Sequence, residues 1–423
     1  MTNESSKPLS RRTFLLAGGT LGVLGALGVS TPALARRPDW TWDPIGSIQP
    51  PGRPGSDPPT QTDPDLIWDD EADPVVAQIF ERGEVGQVNQ VLRSWTRNDQ
   101  LLPDGMPPYV AEFIDHARQL PTWVEPAKLE ASIEFNKKRG NYLGVLYGFG
   151  SGMMACAIPR EATAVYYSKG GADMRSRIAR TAKFGYDVGS PNAYLDDGEM
   201  IVSAVKTRMV HAAVRHLLPQ SPGWDLVRGS QERPISQADI LITWHSLATF
   251  VMNTMRSWPM QIDADEAEGF LHTWQVTAHM LGVKDEYIPA TWESADAQSE
   301  QLLTPVLGST PEGVELAQVL LDIASGHRNS PGRPFFHAYT RYILGDQIME
   351  WLQLPREPMW DQMVRNGWPN YVRMREGGMA FPLAPELYWA FDEVLRQGII
   401  LFLSQGRPIS IELPEGNREH YER

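Results

Sequence analysis

The sequence predicts an all-α chain, on three observations. Apolar residues recur at 3–4 spacing through most of the chain beyond Pro74. Val-Thr-Ile alternation of the strand kind is nearly absent, and Pro and Gly punctuate the periodic segments. The spacing predicts helices over about 75–100, 108–118, 126–150, 171–188, 199–218, 236–256, 264–282, 311–326 and 384–404. No internal repeat appears. The chain has 423 residues and the charged and apolar fractions of a soluble globular protein. Its fourteen Trp and sixteen Met favour large apolar pockets.

The amino terminus reads as an export signal. Ser10-Arg11-Arg12-Thr13-Phe14-Leu15 precedes an apolar run to Val29, and Ala33-Leu34-Ala35 offers the small residues of a cleavage site. Residues 1–35 are therefore expected to be a twin-arginine signal peptide, a route that carries folded proteins to the outside of the cell. The run is too short and too Gly-rich for a comfortable membrane span. Residues 36–75, rich in Pro, Gly and Asp, read as an extended arm anchored by Trp40, Trp42 and Trp68. Residues 76–423 are expected to form one helical domain, a monomer with no membrane attachment after signal cleavage.

Charge and cysteine content exclude several classes. The formal net charge is −14; residues 1–35 hold three basic residues and one acidic, so the remainder carries −16. Such a chain does not seek nucleic acid or anionic lipid. Cys156 is the sole cysteine, so neither an internal disulfide nor a Cys-x-x-Cys-His haem attachment is possible. In its apolar run MMACAI it reads as a neutral buried thiol.

Motifs of common enzymes are missing. Gly148-Phe149-Gly150-Ser151-Gly152 follows no strand, lacks a Lys-Ser/Thr, and has the wrong spacing for a nucleophile elbow. It reads as a place where missing side chains let a helix or a cofactor approach. There is no HExxH. His211 and His216, five apart, point about 140° apart on a helix, and His272 and His279 lie two turns apart. Zinc hydrolysis finds no ligand set.

Lys206–Leu218 (KTRMVHAAVRHLL) sets one histidine, His211, among small and apolar neighbours. Thr207, His211 and Arg215 share a helical face. An imidazole on a rigid, dry element beside a cation suits a cofactor ligand, and equally a hydrogen-bonded core histidine. A second constellation joins Glu161 to Arg177, Arg180 and Thr181. Either this is a solvated basic face, or Glu161 faces the arginines and the threonine in a pocket and takes a proton there.

These residues carry a resemblance. The stretch GFGSGMMACAIPREATAVYYSKGGADMRSRIARTAKFGYDVGS, then KTRMVHAAVRHLL and PGRPFFHAYTRY, is similar to the latex clearing protein family of secreted rubber oxygenases. The resemblance implies a globin-like helical core with additional surrounding helices. It implies one non-covalent haem b, its iron held by His211, and O₂-dependent cleavage of poly(cis-1,4-isoprene) into oligo-isoprenoids with aldehyde and ketone ends. Glu161, Arg177 and Thr181 match its distal catalytic residues. Arg215 and His216 follow the proximal histidine as in the family, and Thr243 and Arg341 match recurrent positions, for which support of the haem pocket is expected. Arg180 stands where the family's best-known member has a lysine. A guanidinium stays protonated and ligates poorly, so Arg180 is expected near the haem without capping the iron. A haem oxygenase for a smaller terpenoid alkene, or a secreted haem-binding protein without turnover, remains open.

Overall fold

The computed structural model describes residues 63–169, 173–379, 381 and 383–418. The expected signal peptide and most of the arm, Trp40 and Trp42 included, lie outside them. The described residues are all-α, as the sequence predicts: a buried helical core with further helices around it. Among them the one β contact is an isolated bridge between Ser168 and Asn417.

Two helices form the centre. Ala264–Met280 is buried along almost its whole length and packs lengthwise on Pro126–Val145. Gly269 allows this: a Cβ there would lie 2.7 Å from both Lys128 O and Ser132 N. Phe135 meets Phe270 at 5.0 Å beside it. The third core element is Met200–Leu217, the His211 helix, which packs against Ala72–Glu81, Met174–Val188 and the central helix. Tryptophans fill the gaps. Trp258 and Trp368 stand edge-on to Tyr142, and Trp368 packs edge-on to Tyr339.

Several helices differ from expectation, with local reasons. The 75–100 segment is two helices, Ala72–Glu81 and Val85–Ser94, parted at Gly83, whose φ of 68° no L side chain adopts readily. The 236–256 segment breaks at Ala248 into Gln237–Leu247 and Thr249–Arg256. Four substantial helices escape the periodicity reading: Pro159–Tyr167, Trp292–Leu302, Arg333–Leu344 and Pro358–Gly378. A proline explains two of them. Pro159 and Pro358 are the first residues of their helices, where the missing N–H costs nothing, as at Pro108, Pro126 and Pro311. Read as stops, these two hide starts.

The described part of the arm is held chiefly by charge. Asp69 receives Arg208 through Nε at 2.6 Å and Nη2 at 2.8 Å. Asp73 receives Arg215 Nε at 2.7 Å and Arg233 Nη2 at 2.6 Å, and Asp65 receives Arg160 at 2.7 Å. Trp68 contributes a ring beneath Arg233, 5.3 Å from the guanidinium carbon. Helix begins at Ala72, inside the stretch expected to be arm.

Candidate active site

After Val145 the helix Pro126–Val145 continues as a π-turn, Leu146–Ser151, before Gly152–Ala155. Such turns are rare and frequent at functional sites. The turn holds the Gly-rich run, and its glycines divide the two expected roles. A Cβ on Gly150 would lie 2.8 Å from Phe250 Cε1 and 3.3 Å from Ile343 Cγ2, so Gly150 permits close helix approach. Gly144 and Gly148, one turn apart, would meet nothing within 4 Å and are exposed. They leave a bare strip of backbone facing open space. Ser151 Oγ ties the turn to Ser246 O at 2.5 Å, on the helix that carries Thr243.

Glu161 sits in the first turn of Pro159–Tyr167, behind the N1 proline. Arg177 comes from Met174–Val188, capped by Asp173. His211 comes from the core helix. Each is surrounded by protein, yet each keeps some accessible surface. Residues that line a recess in the protein have this combination. Arg177 lies within electrostatic reach of both Glu161 and His211.

The electrostatics set opposite protonation demands. Burial drives the His211 imidazole down to about 3, aided by the positive fields of Arg215 and Arg177. It is therefore neutral at physiological pH. Its Nδ1 is sealed from solvent and has no hydrogen-bond partner. Nε2 also makes no bond but is not sealed, which leaves it as the nitrogen facing the internal space. Burial raises the Glu161 carboxyl to about 7, against the lowering effect of a hydrogen bond from Thr243 and the charge of Arg177. A carboxyl poised at neutrality can accept or return a proton at little cost.

The partner of Glu161 departs from expectation. Thr243 Oγ1 lies 3.1 Å from Glu161 Oε2, across 82 residues, and donates there in competition with Asp239 O of its own helix at 3.2 Å. Thr181 does not reach it: its hydroxyl donates to its own helix, to Arg177 O, at 3.1 Å. Thr243 thus takes the place expected of Thr181, and Glu161 Oε1 is left open. Thr207 likewise spends its hydroxyl on Ser203 O at 2.7 Å.

The remaining expected residues are spread more widely. Arg180 donates through Nη1 to Ser176 Oγ at 2.8 Å and feels Asp173 and Glu412, while remaining within electrostatic reach of Arg177. Arg215 lies behind His211, bonded to Asp73 and Ile235 O. It touches the imidazole only through its charge. Arg341 serves a different corner, donating to Asp346 Oδ1 at 2.7 Å, Leu354 O at 3.2 Å and Pro355 O at 3.0 Å. His216 stacks on Phe80 at 5.0 Å. Cys156 is buried, its thiol pushed up by burial and by nearby Glu161, and so stays neutral. Among the described residues no cluster of three His, Cys, Asp or Glu could hold a metal ion.

These features define the class: a helical enzyme with a buried acid–base site beside a neutral imidazole. Residues 138–374 match the family described as ER-bound oxygenase mpaB/B′/rubber oxygenase, catalytic domain. The chain belongs to this family and is an oxygenase. It is 53% identical over 409 residues to a rubber oxygenase of Streptomyces sp. (strain K30), spanning 97% of this chain and 98% of the relative. A solved structure of latex clearing protein in the closed state has a TM-score of 0.76 and 53% identity. It covers 84% of this chain and 96% of that one.

Proposed function

We propose that the chain is a secreted haem b dioxygenase that cleaves the cis double bonds of poly(cis-1,4-isoprene) with O₂, releasing oligo-isoprenoids with aldehyde and ketone ends. The observation that carries the reading is Arg177 acting on both His211 and Glu161, which links a metal-competent imidazole to a proton-competent carboxyl. The full-length relative named rubber oxygenase supports the substrate.

The residues fit a haem. His211 has a neutral ring with Nε2 open, as a ligand to haem iron needs. When bound, the haem supplies activation of O₂. The chain does the rest. The apolar surroundings exclude water and bind an alkene with no polar handle; each CH₂ buried contributes ~0.8 kcal/mol. Glu161 Oε1 takes an allylic proton from the isoprene unit, while Thr243 positions Oε2; the charge of Arg177 favours the carboxylate that must be present before the transfer. The proton returns before product leaves, because O₂ plus an alkene gives an aldehyde and a ketone with no net proton change. Arg180, bonded to Ser176, stays off the iron. Residues 1–35 direct export by the twin-arginine route.

The test combines a visible spectrum with incubation on polyisoprene latex under air and carbonyl staining. The expected result is a Soret band, absent in His211→Ala, and carbonyl-bearing oligomers. Lack of a Soret band in the purified protein would sink the cofactor assignment. Turnover restricted to short terpenoids, or haem without O₂ consumption, would replace the substrate or the activity.

A further inference from the structure

The helix Ala384–Ser404 is built inside out. Leu387, Phe391, Val394, Leu395, Gly398 and Phe402 fall at i, i+4, i+7, i+8, i+11 and i+15, a stripe about 100° wide. In a water-soluble protein such a stripe faces the core. Here it faces outward: Leu387 is 68% exposed, Phe391 60% and Val394 71%. The polar residues point in. Asp392 is fully buried, paired with Arg375 and accepting from Asn141 N. Glu393 accepts from the Tyr186 hydroxyl, and Arg396 donates to Tyr186 O at 3.1 Å. Buried polar partners fix the rotation of this helix, so the apolar face cannot roll inward without leaving charges unpaired. The stripe forms a groove of about 320 Å³ lined by Phe391, Val394, Leu395, Gly398, Ile399 and Phe402.

The chemistry of the face selects its occupant. A membrane-surface helix carries Lys and Arg on its polar side to meet anionic lipid; here that side is turned into the protein and holds Asp392 and Glu393 beside Arg396. No single helix among the described residues is long and apolar enough to cross a membrane. A protein partner needs a polar rim; the stripe's helix exposes only Glu386 and Gln397 as polar groups, and among the described residues the one cation over the stripe is Arg175, 5.1 Å from the Phe402 ring at its far end. An uncharged hydrocarbon asks for neither. The helix also packs directly on Met174–Val188, which carries Arg177, and Arg175 of that helix donates to Phe402 O at 3.3 Å. The outward face is thus joined through one layer of packing to the element that borders the site.

We propose that the outward stripe from Leu387 to Phe402 is a docking surface for the hydrocarbon polymer itself, holding the enzyme on polyisoprene next to its cavity. This rests on the substrate reading above. The test measures adsorption apart from cleavage. Full-length mature holoenzyme is mixed without O₂ with an emulsion of synthetic cis-1,4-polyisoprene, and its depletion from solution is read. Phe391→Gln/Val394→Gln/Ile399→Gln replaces three exposed apolar side chains of the groove, where the fold tolerates change; an unaltered melting temperature checks this. Adsorption should fall at least about tenfold, given what three such side chains bury. Turnover of a short soluble isoprenoid under air should be unchanged. Leu101→Gln, at an exposed leucine elsewhere, should adsorb like wild type.

A stripe variant that still adsorbs like wild type overturns the proposal. So does a wild type that adsorbs only after removal of residues 36–62, which would assign the face to that segment. A wild-type dimer that the variant turns into monomers would assign it to a second copy, and binding to phosphatidylcholine vesicles but not polyisoprene would assign it to lipid. Adsorption without cleavage under air leaves the docking proposal standing and removes the substrate reading; cleavage without adsorption does the reverse.

Discussion

Thr243→Val tests the acid–base site most directly. The substitution keeps the shape and removes the hydroxyl that donates to Glu161 Oε2 at 3.1 Å. That bond favours the ionised carboxylate and opposes burial, which holds the group at about 7. A hydrogen bond to a charged group is worth about 1.5–3 kcal/mol. At 1.36 kcal/mol per pKa unit its loss moves Glu161 up by roughly one to two units. Taking one unit, the ionised fraction at pH 7 falls from about half to about one in eleven, a five- to sixfold loss of rate if the carboxylate is the base. The sign is fixed: activity rises with pH through the Glu161 pKa, so the acid limb should move to higher pH while the alkaline plateau stays near wild type. A pH profile of oxygen uptake on polyisoprene reads this, with Thr243→Ser as the conservative control that restores the limb. An acid limb unmoved in Thr243→Val would refute the assignment of Thr243 as the residue that holds Glu161.

Three further outcomes follow from the same geometry. Glu161→Gln should stabilise the haem-free protein at pH 8 but not at pH 4. The folded pKa of about 7 lies above the ordinary 4.5, so the contribution of Glu161 is intact below the unfolded value and is lost as pH rises through 7. The gap corresponds to a gain on the order of 3 kcal/mol, read by chemical denaturation at the two pH values. Asp73→Ala leaves the buried Arg215 guanidinium without its main partner and should cost about 3–5 kcal/mol in the same assay. Gly148→Ala and Gly150→Ala should act oppositely on the haem-free fold. The first fills open space on a helical backbone, gaining about 0.5–1 kcal/mol while lowering haem loading; the second drives a methyl into Phe250 and destabilises. Calorimetry and the Soret absorbance per protein separate the two.

Much of the fold is written in local pattern. The core helices bearing His211, Arg177 and the Gly-rich run were legible because each alternates apolar and small residues at helical spacing. The helix of Glu161 was not, because Pro159 reads as a stop until the preceding chain is seen to enter from outside the helix. The same ambiguity hid Pro358–Gly378, which even carries Pro369 within it.

The sequence by itself determined the all-α class, the sole neutral cysteine, the strong acidic balance, and the residues from which a site could be drawn. Family resemblance added His211, Glu161 and Arg177 as a set. Only the tertiary structure decided how they are used. Thr243 rather than Thr181 bonds Glu161, because the two meet from helices 82 residues apart. Arg215 and Arg341 are committed to Asp73 and Asp346, partners no spacing rule links to them. The values of about 3 for His211 and about 7 for Glu161 arise from desolvation, which is a property of everything packed around a group rather than of its neighbours in sequence. For the same reason the direction of the Ala384–Ser404 stripe could not be read from its periodicity. Spacing shows that a helix has an apolar face; the buried pairing of Asp392 with Arg375 turns that face outward.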